Sequence, residues 1–325
     1  MQEQIQSPGK DGKKRPGAVS IPLAIILALC AATPQAIAAT SQATPTAATA
    51  EEEDAWVARL GAWADEFQIP ADVLPRDKAA LLALRKLDLN RHSSPLPKIT
   101  WLPAEIGKLQ QLQALDLTRN QLSSLPTEIW QLQHLQILYL GINQLSSLPA
   151  EIGQLQQLQE LDLSGNQLSS LPVEIGQLQQ LQKLGVGSNR LSALPAEIGK
   201  LQQLQELSLS RNLLVTLPAE IGQLQRLRKL WIDESPLSSL PAEIGQLRQL
   251  QGLWLNNNQL STLPAEIGQL QHLYGLRLIG NQLTSLPEEI TQLRRLERLD
   301  IRRNPKLRLT PAQEQFLQSV GKVKR

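Results

Sequence analysis

Cysteine and histidine are the residues whose chemistry could support a metal site or a nucleophile, and this chain has few of either. Its 325 residues include one cysteine, Cys30, and three widely separated histidines, His92, His134 and His272. One cysteine allows neither an intramolecular disulfide nor a zinc site built on cysteines, and isolated histidines disfavour a histidine metal site. The chain also has no nucleophile elbow, phosphate-binding glycine loop or paired-histidine helix motif. We therefore predict that the protein is not an enzyme and uses no cofactor or metal ion.

The charge balance argues against a protein that binds nucleic acid. The chain has 32 lysine and arginine residues against 30 aspartate and glutamate residues, which gives a formal net charge of +2. A protein that binds the phosphate backbone normally carries a clear excess of positive charge. We therefore expect no nucleic-acid partner.

A repeated segment dominates the chain from residue 84 onward. Its pattern is L-x-x-L-x-L-x-x-N-x-L, and an imperfect first copy begins at Leu84. Later copies are 23 residues apart, and their first leucines are Leu112, Leu135, Leu158, Leu181, Leu204, Leu227, Leu250, Leu273 and Leu296. A second motif, L-P-x-E-I-x-x-L, runs between the copies. A fixed period of this length is typical of a solenoid, in which each repeat packs only on its neighbours.

The spacing within one repeat predicts its local structure. Leu161 and Leu163 alternate with polar residues, which is the period of a strand. Strands stacked at the same phase form a parallel sheet on one face of the array. The Pro-x-Glu-Ile segment crosses the opposite face as a short helix, because proline suits a first helical turn and glutamate favours a helix N-terminus. The fold class is therefore an α/β solenoid.

The repeats resemble those of leucine-rich repeat proteins, in particular the 23-residue bacterial type that reads LPxEIGxLxxLxxLxLxxNxL. The resemblance covers residues 81–309, and residues 84–309 hold about ten copies. It implies a curved array with a parallel concave sheet, short convex helices and a ligand surface on the concave face. Some bacterial relatives carry a ubiquitin-ligase domain with a catalytic cysteine, but this sequence has no cysteine after residue 30.

One asparagine recurs in the repeats, and its predicted role is structural. The chain must turn at this place, which leaves inward-facing backbone donors and acceptors that a single amide can satisfy. His92 and Ser235 replace the asparagine in two copies, and Pro236, which has no N–H, follows the serine. The asparagines are Asn120, Asn143, Asn166, Asn189, Asn212, Asn258, Asn281 and Asn304.

Residues 1–38 have the features of a secretory signal peptide. A basic start precedes an apolar run over residues 18–32, which is too short to span a bilayer, and Ala36-Ile37-Ala38 follows. We predict cleavage after Ala38 and a secreted, periplasmic or cell-envelope protein whose mature form has no transmembrane span. A lipoprotein cleaved at Cys30 is one alternative, although the residue before this cysteine is a leucine and not a small residue. An uncleaved anchor is the other.

The segments that flank the repeats predict a linker and two caps, since both ends of a solenoid must be covered. Residues 39–53 are rich in alanine and threonine and predict a disordered linker. Residues 54–83 predict a helical cap, with a partner-binding aromatic helix as the alternative. Their apolar residues at helical spacing are Trp56, Leu60, Trp63 and Phe67. Residues 310–325 predict a helical C-terminal cap and a solvated basic tail.

The variable positions of the strands form candidate binding columns, because neighbouring strands lie only about 4.8 Å apart. The central column is Asp116, Tyr139, Asp162, Gly185, Ser208, Trp231, Trp254, Arg277 and Asp300. Tryptophan, tyrosine and arginine most often anchor interfaces. We therefore predict a concave partner-binding patch of Trp231, Trp254, Tyr274 and Arg277, edged by Asp233 and Glu234. In the alternative interpretation the aromatic rings stack on each other and on Arg277 and only stabilise the fold.

These features predict an exported, non-catalytic protein that binds a protein partner on its concave face, at a host or envelope surface. A glycan-binding or adhesive protein that uses the same tryptophans is one alternative. A scaffold for intracellular signalling, like the leucine-rich repeat proteins that bind small GTPases, is another and requires an uncleaved N-terminus.

Overall fold

The computed structural model describes residues 50–92 and 95–325. The predicted signal peptide, Cys30 and residues 39–49 of the predicted linker lie outside the described residues. Residues 50–53, which the composition places in the linker, form the first turn of helix α1 (Ala50–Glu66). In the described part of the chain, no helix is long and apolar enough to cross a bilayer.

Within the described residues, eleven three-residue strands form one sheet, and each strand pairs in parallel with the next along the chain. The strands are β1 (Lys86–Asp88), β2 (Ala114–Asp116), β3 (Ile137–Tyr139), β4 (Glu160–Asp162), β5 (Lys183–Gly185), β6 (Glu206–Ser208), β7 (Lys229–Trp231), β8 (Gly252–Trp254), β9 (Gly275–Arg277), β10 (Arg298–Asp300) and β11 (Lys322–Lys324). Equivalent repeat positions pair directly, as Leu115 does with Leu138. Equal repeat lengths thus set the register of the sheet.

Short 3₁₀ helices form the opposite layer, one between each pair of successive strands from β1 to β10. They are Ala104–Lys108, Thr127–Gln131, Ala150–Gln154, Val173–Gln177, Ala196–Lys200, Ala219–Gln223, Ala242–Gln246, Ala265–Gln269 and Glu288–Gln292. Each follows a proline with extended backbone dihedrals, such as Pro172 (φ −66°, ψ 150°). A glycine lets adjacent helices approach closely: a β-carbon at Gly176 would lie 2.7 Å from the carbonyl oxygen of Glu197. This layer is the predicted set of short helices, in 3₁₀ form.

Trp130 replaces this glycine in the second 3₁₀ helix. Its indole is only 1% exposed, so the large ring packs into the helical layer and does not project from it. Its Nε1 has no hydrogen-bond partner within the described residues.

Leucine and isoleucine fill the space between the two layers. In one repeat, Leu158, Leu161, Leu163, Leu168 and Ile175 are each at most 1% exposed. Burying such a side chain contributes about 1.5–3 kcal/mol. These side chains pack against the equivalent residues of the next repeat, so the core is continuous along the array. Stability therefore depends on stacking of the repeats and not on any single copy.

The recurring asparagines connect the backbones of adjacent repeats. The Oδ1 atom of Asn166 accepts from the Leu145 N–H at 3.0 Å. Its Nδ2 donates to the carbonyl oxygens of Leu140 and Leu163, both at 2.9 Å. The asparagine is buried, so each of these bonds satisfies a backbone group that water does not reach.

The repeat that carries Ser235 and Pro236 departs from this arrangement. The Ser235 hydroxyl accepts from the N–H of Asn212 at 3.3 Å, whereas an asparagine would accept from the N–H of Leu214. In most other copies the next residue donates its N–H to the preceding repeat, as Gln259 does to Leu237 at 2.9 Å. The copy with Asn304 is an exception, because Pro305 follows the asparagine. Pro236 has no N–H, so this bond is lost at the same place. Two adjacent substitutions therefore weaken one repeat junction.

Helices α1 and α2 (Lys78–Ala83) cover the first repeat. The buried apolar side chains at the predicted helical spacing are Trp56, Leu60, Trp63 and Phe67. The Trp63 Nε1 donates to the carbonyl oxygen of Trp101 at 3.0 Å. The buried Arg91 donates through Nη2 to the carbonyl oxygen of Phe67 at 2.9 Å. The aromatic face is therefore turned toward the repeats and is not displayed to solvent.

The C-terminal end is covered by helix α3 (Pro311–Ser319). Thr310 and Gln313 form a capping box: the Thr310 hydroxyl accepts from the Gln313 N–H, and the Gln313 side chain accepts from the Thr310 N–H. The basic side chains of the tail, Lys322, Lys324 and Arg325, are exposed, and its backbone forms β11, which pairs with β10. The alternating sequence explains this strand, because Val323 packs against the core while Lys322 and Lys324 point outward.

Candidate functional site

Two tryptophans meet in the middle of the outward-facing surface of the sheet. Trp231 and Trp254 are register partners on β7 and β8. Their rings stack with centroids 4.8 Å apart and planes 14° from parallel. Both side chains are half-buried, and the intervening leucines of the same strands are fully buried. The alternation of each strand thus directs the tryptophans out and the leucines in.

Two glycines determine the space around this pair. A β-carbon at Gly252 would lie 2.1 Å from Cη2 of Trp254, so the indole occupies the volume above this glycine on its own strand. A β-carbon at Gly275, the register partner of Gly252 on β9, would meet nothing within 4 Å. Gly275 is therefore an open floor next to the covered Gly252.

This floor belongs to a pocket of about 650 Å³. The pocket is lined by three of the residues predicted from sequence: Trp254, Tyr274 and Arg277. Trp231 stacks behind Trp254 and does not line the pocket. Tyr274 is 39% exposed, which is high for an aromatic side chain that could have packed inside. The structure therefore brings the aromatic and arginine components of the predicted patch together around one cavity.

The stacking of Trp231 on Trp254 agrees with the alternative interpretation, but the stacking on Arg277 that it also expects is replaced by contacts with other cations. The Lys229 Nζ lies 5.9 Å from the ring centroid of Trp231, and the Arg298 guanidinium lies 5.2 Å from that of Tyr274. These are the cation–π contacts found in the described part of the chain, and Arg277 is in neither. The Arg277 side chain is exposed at the edge of the pocket.

Asp233 and Glu234 lie in the turn after β7 and are absent from the pocket lining. The Asp233 carboxylate accepts from the Asn256 N–H at 2.7 Å. Burial raises the pKa of Asp233 despite this hydrogen bond. Glu234 has a left-handed backbone (φ 55°) and accepts from two nitrogens of Arg211 at 2.9 and 3.2 Å. Both acidic groups thus already have protein partners.

Sequence reasoning missed the basic wall of the pocket. This wall contains Arg294, Arg295 and Arg298, and Lys229 lies on the opposite side. Arg294 and Arg295 occupy positions that carry glutamine in most copies. Comparing the charges at equivalent positions of the repeats would have identified them. His272 also lines the pocket, and its Nδ1 lies 2.8 Å from the Arg248 carbonyl oxygen.

The opposite half of the same surface carries several carboxylates on its strands, and Lys183 is paired with one of them. The Tyr139 hydroxyl donates to Glu160, which also accepts from Lys183 at 2.7 Å. Burial, followed by the hydrogen bond to Glu160, raises the pKa of Tyr139 to about 12. Burial alone would raise the pKa of Glu160, but the hydrogen bonds from Lys183 and Tyr139 outweigh it and lower this pKa. Asp116 and Asp162 extend the acidic surface on neighbouring strands.

A model described as Leucine-rich repeat region matches residues 136–233, 184–259 and 238–324, and one described as Leucine Rich Repeat matches residues 111–132. A search of curated proteins found no match.

Several solved structures are similar to this chain. A leucine-rich repeat protein of Leptospira interrogans is 36% identical, with 73% of this chain and 70% of that chain covered and a TM-score of 0.47. The ectodomain of the Arabidopsis thaliana receptor kinase GASSHO1/SCHENGEN3, in complex with CASPARIAN STRIP INTEGRITY FACTOR 2, is 34% identical, with coverage of 69% and 28% and a TM-score of 0.61.

The plant peptide hormone receptor RGFR1, in complex with RGF2, is 30% identical, with 74% of this chain and 47% of that chain covered and a TM-score of 0.56. This chain therefore spans less than half the length of either plant receptor structure. The family models match more than half of the chain, and the matched residues contain strands β2 to β11. The chain therefore belongs to the leucine-rich repeat family.

Proposed function

We propose that this protein is a non-catalytic binding protein that holds a protein partner on its outward-facing sheet, centred on Trp231 and Trp254. The observation that carries the proposal is the stacked tryptophan pair, which stays half-exposed beside an open pocket. Exposed aromatic surface next to arginine is the composition of interface hot spots, because a partner removes that apolar area from water.

The two plant receptors support a protein segment as the class of ligand. One is the ectodomain of a receptor kinase in complex with a named factor, and the other is a peptide hormone receptor in complex with RGF2. At 30–34% identity and TM-scores of 0.56–0.61 the repeat architecture is shared with this chain.

A reconstituted complex tests this proposal. A partner is first identified by cross-linking to the chain that begins at Ala39. The purified partner is then titrated against this chain by calorimetry. We expect the double variant Trp231→Ala, Trp254→Ala to bind at least about tenfold more weakly, which corresponds to about 1.4 kcal/mol. Trp101→Ala is the matched control, because Trp101 is an exposed tryptophan far from β7 and β8 in the sequence. Equal affinity of the double variant and the control would remove the tryptophan pair from the interface.

The stacked rings also favour one second candidate, a glycan. A flat indole beside an open glycine floor offers a surface on which a sugar ring can lie, as Trp254 does beside Gly275. A glycan-array measurement with the same two variants separates the candidates. Binding of a sugar that depends on Trp254, with no captured protein, would replace a protein partner by an adhesive function.

The proposed location is outside the cytoplasm, by secretion or in the periplasm or envelope of a bacterium. The basic start, the short apolar run and Ala36-Ile37-Ala38 support cleavage after Ala38. Mass spectrometry of the mature N-terminus tests this location. A first residue of Ala39 is the expected result, a lipidated Cys30 would place the protein on a membrane surface, and an intact Met1 would return the intracellular scaffold to consideration.

A further inference from the structure

The pocket beside Trp254 carries an excess of positive charge. Arg277, Arg294 and Arg295 are exposed on its walls, and in the described part of the chain none of them forms an ion pair. Arg298 adds a fourth guanidinium above Tyr274. Glu297 is the acidic residue in the lining. Asp233 acts on Arg277 electrostatically without forming an ion pair with it. Four clustered guanidinium groups still repel one another, so an anion in the pocket would be stabilised.

The basic surface continues beyond the pocket to the end of the sheet. Arg277 and Arg298 also line a second depression of about 270 Å³, together with Lys322 and Lys324 of β11. The acidic residue there is Asp300, which the Arg302 side chain already contacts at 2.7 Å. The four strands from β8 to β11 extend about 14 Å, which matches about four residues of extended peptide.

The first half of the sheet repels the same kind of ligand. Asp116 and Asp162 face outward on β2 and β4, and Lys183 on β5 is held by Glu160 at 2.7 Å. An anionic segment is therefore attracted to β8–β11 and disfavoured on β2–β6. The uneven distribution of charge therefore favours binding of a negatively charged segment at the β8–β11 end of the sheet.

We propose that β8–β11 bind an acidic, extended segment of the protein partner, with one carboxylate side chain seated over Gly275 between Trp254 and the arginines. This inference rests on the proposed protein-binding function and adds the chemistry of the ligand. The open floor at Gly275 admits the side chain, Trp254 packs against its methylene groups, and the guanidinium groups pair with its carboxylate. An aspartate or glutamate on the side of this residue toward β11 reaches Lys322 and Lys324.

Fluorescein-labelled decaglutamate is the probe, titrated by fluorescence anisotropy against the chain beginning at Ala39. We expect binding that weakens with added salt and falls at least about tenfold in Arg277→Gln, Arg298→Gln. The control Arg119→Gln, Arg190→Gln removes the same two charges from exposed positions in earlier repeats, and less than about a twofold change is expected there. Equal weakening by both double variants would show nonspecific attraction and overturn the proposal.

Gly275→Val tests the shape of the pocket with every charge retained. A β-carbon at this position meets no neighbour, so the variant should fold normally while its side chain fills the floor. We expect it to lose decaglutamate binding as the arginine variant does, and unchanged binding would contradict the seated carboxylate. Tighter, Gly275-dependent binding of polygalacturonate than of decaglutamate would assign the pocket to an acidic glycan and overturn a peptide ligand.

The two proposals can fail separately. If a purified partner binds through the tryptophans but decaglutamate fails to bind at low salt, the acidic segment is wrong and the protein-binding function stands. If decaglutamate binds through Arg277 and Arg298 but the purified partner binds the Trp231→Ala, Trp254→Ala variant with unchanged affinity, the tryptophan-centred site is wrong and the anion pocket stands.

Discussion

The indole of Trp254 lies directly over Gly252 of the same strand, where a β-carbon would come within 2.1 Å of Cη2. The ring reaches this position while stacking on Trp231 of the neighbouring strand. The absence of a side chain at Gly252 is therefore a condition for the geometry of the tryptophan pair and for the wall of the adjacent pocket.

The first prediction concerns this dependence. Gly252→Ala should displace the Trp254 ring and disrupt its stacking on Trp231, which contributes about 0.5–1.5 kcal/mol beyond area burial. Near-ultraviolet circular dichroism should record the loss of the coupled indole signal. Gly275→Ala is the matched control, because its β-carbon meets nothing within 4 Å. An unchanged spectrum in Gly252→Ala would show that the ring does not depend on this glycine.

A second prediction concerns the weakened repeat junction. Ser235→Asn, Pro236→Gln should restore the amide and the backbone donor that other copies have, and raise the free energy of unfolding by about 1–2 kcal/mol. The reverse change in a regular copy, Asn166→Ser, should lower it by about 1–3 kcal/mol, because buried backbone groups lose their partners. Urea unfolding measures both. A double variant less stable than the wild type would mean that this repeat has adapted to the serine and proline.

Tyr139 provides a test by titration. The sequence has two tyrosines, so Tyr274→Phe leaves Tyr139 as the one phenol whose ultraviolet absorbance changes on ionisation. We expect a pKa of about 12, above the ordinary 10.0, and a return toward the ordinary value when Glu160→Gln is added. The pKa of Tyr139 is higher in the folded state than in the unfolded state, so the protonated phenol stabilises the fold. This stabilisation is complete below pH 10 and is lost as the pH rises to about 12. A midpoint at the ordinary value would contradict the burial of the Tyr139 phenol and its hydrogen bond to Glu160.

Trp130 should be important for its volume and not for its N–H group. Trp130→Ala should lower the free energy of unfolding by about 3–5 kcal/mol, because it leaves a cavity in the helical layer. Trp130→Phe keeps much of the volume and removes an Nε1 that has no partner among the described residues, so its cost should be clearly smaller. Thermal or urea unfolding compares the two. Equal costs would point to a hydrogen bond made by the indole.

The residues of the site show where sequence reasoning succeeds. Trp231 and Trp254 could be placed side by side and facing outward, because the 23-residue period makes equivalent residues register partners. Arg277 and Tyr274 followed from the next repeat by the same reasoning. The hydrogen-bond partners of Asp233 and Glu234 could not be predicted in this way. Both residues lie in a turn, and their partners Asn256 and Arg211 come from neighbouring repeats.

The sequence by itself determined the solenoid, the register of its sheet and the inward or outward direction of strand residues. These features follow from the translational repeat. Because the copies have the same length, their leucines are buried only when equivalent positions of neighbouring repeats lie side by side. The tertiary structure decided how side chains of different repeats combine, such as the ring of Trp254 over Gly252 and the arginines of two repeats around one pocket. Those contacts depend on side-chain rotamers and on volumes left empty by glycine, which a pattern of residue types does not specify.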